Sequence, residues 1–162
     1  RMSSLVNIKV KVNGKDYEQS VEPRLLLSDF LRHNLELTAT HVGCEHGMCG
    51  ACTVLMDGAS VRSCLIFAVQ TDGHVIETAD GLGTEEALHP LQHAFMEEHA
   101  LQCGFCTPGI LMSIIPFLRE NPKPTDEQIR EAIDGNLCRC TGYENIVKAV
   151  KKASVKMAGK AS

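Results

Sequence analysis

"GCEHGMCGAC", residues 43–52, places Cys44, Cys49 and Cys52 in the spacing C-x4-C-x2-C, and Cys64 follows after eleven more residues. Gly43 precedes the first of them and Gly47 and Gly50 lie between them, where the absence of a side chain lets the backbone come close and aim N–H groups at sulfur. Three thiolates on one such loop can wrap most of a centre, with the fourth supplied from a neighbouring strand. The chain has eight cysteines in 162 residues. In an oxidising compartment four disulfides would be the default. The N-terminal sequence shows no apolar segment ending in a small-residue cleavage site. Metal ligation is therefore the expectation, and a cytoplasmic location with it.

The C-x4-C-x2-C spacing with a distant fourth cysteine is the plant-type [2Fe–2S] ferredoxin pattern. A zinc loop would instead show paired C-x2–4-C motifs, which the four-residue gap fits poorly. Cys44-x-His46 imitates half of a Rieske site, but such a site needs two histidines on one iron, and no C-x2-H follows. His46 is read as a loop-surface side chain. His89 and His93 stand at i, i+4, a metal-capable spacing, but an ordinary helix face is the better reading because the zincin glutamate is missing.

The flanking sequence supplies strands. Val6, Ile8, Val10 and Val12 alternate with polar residues, Asn13-Gly14 signals a type I′ turn, and a second strand runs to about Val21. Leu27, Leu31 and Leu35 predict a helix over 25–35. Thr53–Met56 predicts a strand turning at Asp57-Gly58, with 60–69 returning and 74–78 adding another. Strands around one helix make a compact α+β unit over 1–80. Residues 81–89 are the predicted linker.

From residue 90 the period becomes helical, and 90–162 is predicted as four short helices. Thr107-Pro108 offers an N-cap followed by proline at the first helical position, and Pro116 should kink that helix. Thr125–Gln128 and Thr141–Glu144 read as capping boxes opening the last two helices. The Lys-rich C-terminus is expected to be a frayed, solvated tail.

Between these helices lies the second cysteine set, Cys103 and Cys106 in "QCGFC" with Cys138 and Cys140 in "GNLCRCTGYENI". Residues i and i+2 of a helix point to nearly opposite faces, so Cys138 and Cys140 could not act together from within one. Gly135 and the Thr141 cap put them in a turn instead. Two interhelical turns can enclose one centre, with helix N-termini favouring the thiolates. On spacing alone, zinc and an iron–sulfur cluster both fit.

Composition excludes other classes. A net charge of −4 and 4% aromatic residues leave neither a basic footprint nor a stacking platform for nucleic acid. The longest apolar stretch, 110–118, is broken by Ser113 and Pro116 and is too short to span a bilayer.

"GCEHGMCGACTVLMDG", "LQCGFCTPGILM", "ENPKPT" and "GNLCRCTGYENIVKAV" together resemble the small iron–sulfur subunit of molybdenum hydroxylases, the xanthine oxidase family. The resemblance covers nearly the whole chain and decides for iron at the second set. It implies an N-terminal plant-ferredoxin-like β-grasp domain and a C-terminal four-helix domain, each with one [2Fe–2S] cluster. It implies a cluster on Cys103, Cys106, Cys138 and Cys140 next to the molybdenum, and one on Cys44, Cys49, Cys52 and Cys64 nearer FAD. Gln102 and Cys140 match positions that contact the pterin. Molybdopterin, expected as the cytosine dinucleotide, would belong to a large subunit and FAD to a medium one, in a dimer of heterotrimers. No catalytic residue is expected on this chain. The expected substrate class is an N-heteroaromatic or an aldehyde. The alternatives are a carbon monoxide dehydrogenase small subunit and a stand-alone two-cluster electron carrier.

Overall fold

The computed structural model describes residues 4–159. The alternating valines form β1 (Val6–Val12), with Ile8, Val10 and Val12 buried and Lys9 and Lys11 facing out. Asn13 (φ +49°) and Gly14 (φ +80°) make the left-handed turn that the type I′ hairpin requires, and β2 (Lys15–Val21) returns antiparallel. With β3 (Thr53–Met56), β4 (Ala59–Arg62) and β5 (Val75–Glu77) the sheet order is β2-β1-β5-β3-β4, and β1 and β5 run parallel.

One helical segment crosses this sheet. It begins as α1 (Leu27–Asp29) and widens into a π-helical turn over Phe30–Asn34, where Leu35 N–H reaches back to the Phe30 carbonyl (3.1 Å). Leu27, Phe30 and Leu31 are fully buried against the sheet, each contributing about 1.5–3 kcal/mol of apolar burial. The widening spoils the regular i, i+4, i+8 register, so Leu35 is only half-buried. This is the expected β-grasp.

The predicted return strand over 60–69 is much shorter. After Arg62 the chain coils into 3-10 turns, Ser63–Leu65 and Ala68–Thr71. The Ser63 hydroxyl donates to the Cys52 carbonyl (2.7 Å), bending the chain inward. Cys64 thus sits on a turn, not on a strand.

The helices α2 (Pro90–Glu97), α3 (Thr107–Glu120), α4 (Asp126–Ile133) and α5 (Glu144–Ala158) enclose a second core that includes Phe95, Ile110, Ile114, Ile129 and Val150. The Thr125 capping box forms as predicted, with Gln128 Oε1 accepting from Thr125 N–H (2.9 Å). Two other caps differ from expectation. Cys106, not Thr107, caps α3, and α5 starts from Tyr143 in a left-handed conformation (φ +67°). Thr141 lies outside the helix with its hydroxyl committed elsewhere. His89 is the N-cap of α2, accepting from Leu91 N–H, while His93 pairs with Glu97, so the two histidines do not form a metal site.

α3 continues through Pro116. Proline has no N–H to offer the carbonyl four residues back, that of Met112. The Ser60 hydroxyl of β4 donates to it instead (3.0 Å). Lys151, Lys152 and Lys156, from the Lys-rich segment, lie on α5 and pair with Asp126, Glu97 and Glu98. The remainder of the expected tail, residues 160–162, is outside the described residues. Among the described residues no helix is long and apolar enough to cross a membrane.

Candidate metal centres

The loop after the π turn brings Cys44, Cys49 and Cys52 to the turn that carries Cys64. Cys44 Sγ accepts from the Cys49 N–H (3.4 Å), and backbone hydrogen bonds from Cys49, then His46 and Met48, bring its thiol down to about 6. Cys52 and Cys64 are buried, and burial first, then the neighbouring Cys52 sulfur, pushes the Cys64 thiol up to about 11. The charge at Cys44 also acts on Cys64, so the set is mutually close. His46 is exposed and bonds its own loop at the Cys44 carbonyl (2.5 Å), as expected of a surface residue.

The second set lies between helices. Cys106 caps the N-terminus of α3, and burial followed by the Cys138 sulfur pushes its thiol up to about 12. Cys103 and Cys140 are exposed, with their sulfurs 3.5 Å apart. Gln102 is exposed beside them. Cys138 is half-buried. Burial raises its thiol, but the Thr141 hydroxyl and N–H, with lesser help from Cys140 and Cys106, bring it below the usual range.

The turn that carries Cys138 is closed by its own hydrogen bonds. Cys138 N–H donates to the Tyr143 phenol oxygen (2.8 Å), and Tyr143 N–H donates to Thr141 Oγ1 (3.1 Å). Thr141 Oγ1 and N–H lie 3.1 Å and 3.5 Å from Cys138 Sγ. The sequence predicts this threonine as a helix cap, which leaves its sulfur contact unseen.

The two cysteine loops touch directly. Leu137 N–H donates to the Cys49 carbonyl (2.9 Å), and Asn136 Nδ2 donates to the Gly50 carbonyl (3.1 Å). The Arg62 guanidinium donates to Thr53 Oγ1 (2.5 Å) and to the Gly135 carbonyl (2.7 Å). His41 stacks on Phe105 (ring centroids 4.9 Å apart), and its Nδ1 lies 2.8 Å from the Phe105 carbonyl oxygen. Asn136, Leu137 and Phe105 fall within the quoted cysteine motifs, but no pattern in the sequence reveals these contacts.

Which group could these donors hold? Each set is four thiols with no histidine or carboxylate among them. Among the described residues, no three His, Cys, Asp or Glu side chains converge as a single-ion site requires. Within each set the thiols interact most directly in twos, Cys44 with Cys49, Cys52 with Cys64, Cys106 with Cys138, and Cys103 with Cys140, the last pair 3.5 Å apart, while Cys44 also acts on Cys64 and Cys103 on Cys106. Two thiolates per metal, on two metals, is the donor pattern of a [2Fe–2S] cluster. The residues present fit that group.

The fold and these donor sets define a protein with two [2Fe–2S]-binding domains. Residues 10–82 match the 2Fe-2S iron-sulfur cluster binding domain family, and residues 78–151 match the [2Fe-2S] binding domain family. The chain is 54% identical to the caffeine dehydrogenase subunit gamma of Pseudomonas sp. (strain CBB1), over 94% of this chain and 93% of the relative. It is 56% identical to the nicotine 6-hydroxylase small subunit of Paenarthrobacter nicotinovorans, over 93% and 91%. A chain of quinoline 2-oxidoreductase from Pseudomonas putida 86 superposes with a TM-score of 0.93 at 49% identity, covering 99% of both chains. The chain belongs to the small iron–sulfur subunits of the xanthine oxidase family of molybdenum hydroxylases. It is the electron-transfer, non-catalytic subunit of an oxidoreductase, and in its family molybdopterin and FAD belong to partner subunits.

Proposed function

We propose that this chain passes electrons from a molybdopterin site on a large subunit to FAD on a medium subunit while an N-heteroaromatic or aldehyde substrate is hydroxylated. The reading rests chiefly on the direct bond between the two cysteine loops, Leu137 N–H to Cys49 O. It joins the residue before Cys138 to a cysteine of the other set, as a relay between two centres needs. When bound, each cluster would accept and release one electron at a time. The cysteines of this chain hold it, and the surrounding N–H groups, hydroxyls and exposure set its potential.

Cys44, Cys49, Cys52 and Cys64 are assigned to the flavin-side cluster. Cys103, Cys106, Cys138 and Cys140 are assigned to the molybdenum-side one. The exposed Cys103–Cys140 pair, with exposed Gln102 beside it, supports this assignment, because a surface sulfur pair can meet a cofactor held by another chain. Gln102 and Cys140 then contact the pterin. The separate cores support units over 1–80 and 90–162 joined by 81–89. The relatives named for caffeine and nicotine, and the structure named for quinoline, favour an N-heteroaromatic substrate. The assembly we propose is a dimer of heterotrimers in the cytoplasm, with the pterin as its cytosine dinucleotide.

Co-purification with a large and a medium chain, and two distinct electron paramagnetic resonance (EPR) signals in the reduced complex, are the expected results. Elution near the chain's own 17.7 kDa would sink the subunit reading in favour of a free carrier. Zinc at the second set would sink the two-cluster reading.

A further inference from the structure

We propose that Thr141 is a tuning residue: its hydroxyl donates a hydrogen bond to Cys138 Sγ and holds the helical cluster at a higher reduction potential. The inference rests on the assignment of Cys138 to that cluster.

The direction of the bond follows from local bookkeeping of donors. Thr141 Oγ1 already accepts from Tyr143 N–H (3.1 Å). A cysteine that ligates iron has lost its proton. The contact between Thr141 Oγ1 and Cys138 Sγ (3.1 Å) then has one available hydrogen, that of the hydroxyl. The Thr141 N–H adds a second, longer donor to the same sulfur (3.5 Å). A donor facing a thiolate stabilises added negative charge, so it favours the reduced state of the cluster more than the oxidised state.

The geometry holds this hydroxyl in place. Gly142 (φ +63°) and Tyr143 (φ +67°) both take left-handed backbone, which turns Tyr143 N–H back toward Thr141. The Tyr143 phenol accepts from Cys138 N–H (2.8 Å) and closes the turn from the other side. A tyrosine in that conformation is uncommon and costs energy. The turn thus fixes the direction of one side-chain donor at one sulfur. The other set has no counterpart in the described contacts. Cys44 receives backbone N–H groups, which only a proline substitution would delete.

The test is a redox titration of the purified complex, followed by EPR, for wild type, Thr141→Val and Thr141→Ser. Valine keeps the volume and the N–H but removes the hydroxyl, and serine restores it. The expected result is a shift of the helical cluster to lower potential in T141V, the other cluster unmoved, and T141S close to wild type. A several-fold change in electron distribution between the clusters is expected, where tenfold corresponds to about 59 mV for one electron. An unmoved potential in T141V with both clusters present overturns the tuning role while leaving the ligand assignment standing. Equal shifts in T141V and T141S overturn it as well. Loss of the ligand assignment itself would show separately, as an unchanged helical signal in Cys138→Ser. Should T141V fail to assemble, the wild-type complex exchanged into D2O gives a second readout by electron–nuclear double resonance. A rapidly exchanging proton coupled to the helical cluster is expected, and its absence overturns the proposal.

Discussion

Leu137 N–H donates to the carbonyl oxygen of Cys49 over 2.9 Å, binding the turn before one cysteine pair to the loop that carries the other set. The contact requires the two backbones to lie almost against each other. Gly50 makes that possible, since it sits at φ +74° and a Cβ there would come within 2.3 Å of the Gly135 carbonyl oxygen. Gly109 on α3 plays the same part from the other side, 2.2 Å from the Gly50 oxygen by the same measure. Gly50→Ala is expected to cost about 1–2 kcal/mol from its left-handed backbone alone, with the clash added. Iron content and thermal unfolding check this. Two clusters retained at an unchanged melting temperature would refute the close-contact account.

The proposed cysteine assignments are expected to separate by spectroscopy. Cys140→Ser should disturb the molybdenum-side signal and leave the flavin-side signal intact, while Cys64→Ser should do the reverse. EPR of the reduced complex reads both. If the two signals vanish together in either variant, or neither changes, the division into two sets is wrong.

Ser60→Ala leaves the Met112 carbonyl without its donor, at a place where Pro116 offers no N–H. The expected cost is about 1–3 kcal/mol, the penalty for an unsatisfied buried acceptor. Pro116→Ala supplies a backbone N–H to the same oxygen, so the double variant should recover part of the loss. Chemical denaturation of the four combinations measures this. Simple additivity of the two changes would count against a shared acceptor.

Glu97 gives a pH-dependent link between α2 and α5. Its carboxyl, beside Lys156 first and then Lys152 and His93, is held down to about 2 from an ordinary 4.5. A depressed carboxyl contributes stability that is present above the ordinary value and lost as pH falls toward the folded one. The melting-temperature gap between wild type and Glu97→Gln should be widest above pH 4.5 and close progressively toward pH 2. A gap that stays constant across that window would contradict the ion-pair origin.

How much of this could be seen in the sequence depends on how local each feature is. The hairpin at Asn13-Gly14, the Thr125 capping box and the spacing of both cysteine sets are short-range patterns, and each is legible. The strand expected over 60–69 ends at Arg62 because Ser63 bonds back to Cys52, an interaction between residues eleven apart that alternation cannot report. Thr141 reads as a cap because Ser/Thr three residues before Glu is a capping signature. Only the left-handed pair Gly142–Tyr143 turns its hydroxyl toward sulfur instead, and Tyr143 gives no warning of that conformation. The bonds from Leu137, Asn136 and Arg62 that join the two loops are to backbone oxygens far along the chain, so no residue type announces them.

The hydroxyl of Ser60 on the carbonyl of Met112 has a consequence for how this chain can be cut. A gene split between the two halves would yield a helical fragment with a gap in its own backbone ladder. That fragment could be closed only when the sheet fragment docks. The proline inside α3 therefore ties the completion of one half to the arrival of the other, and the two are expected to melt as one unit.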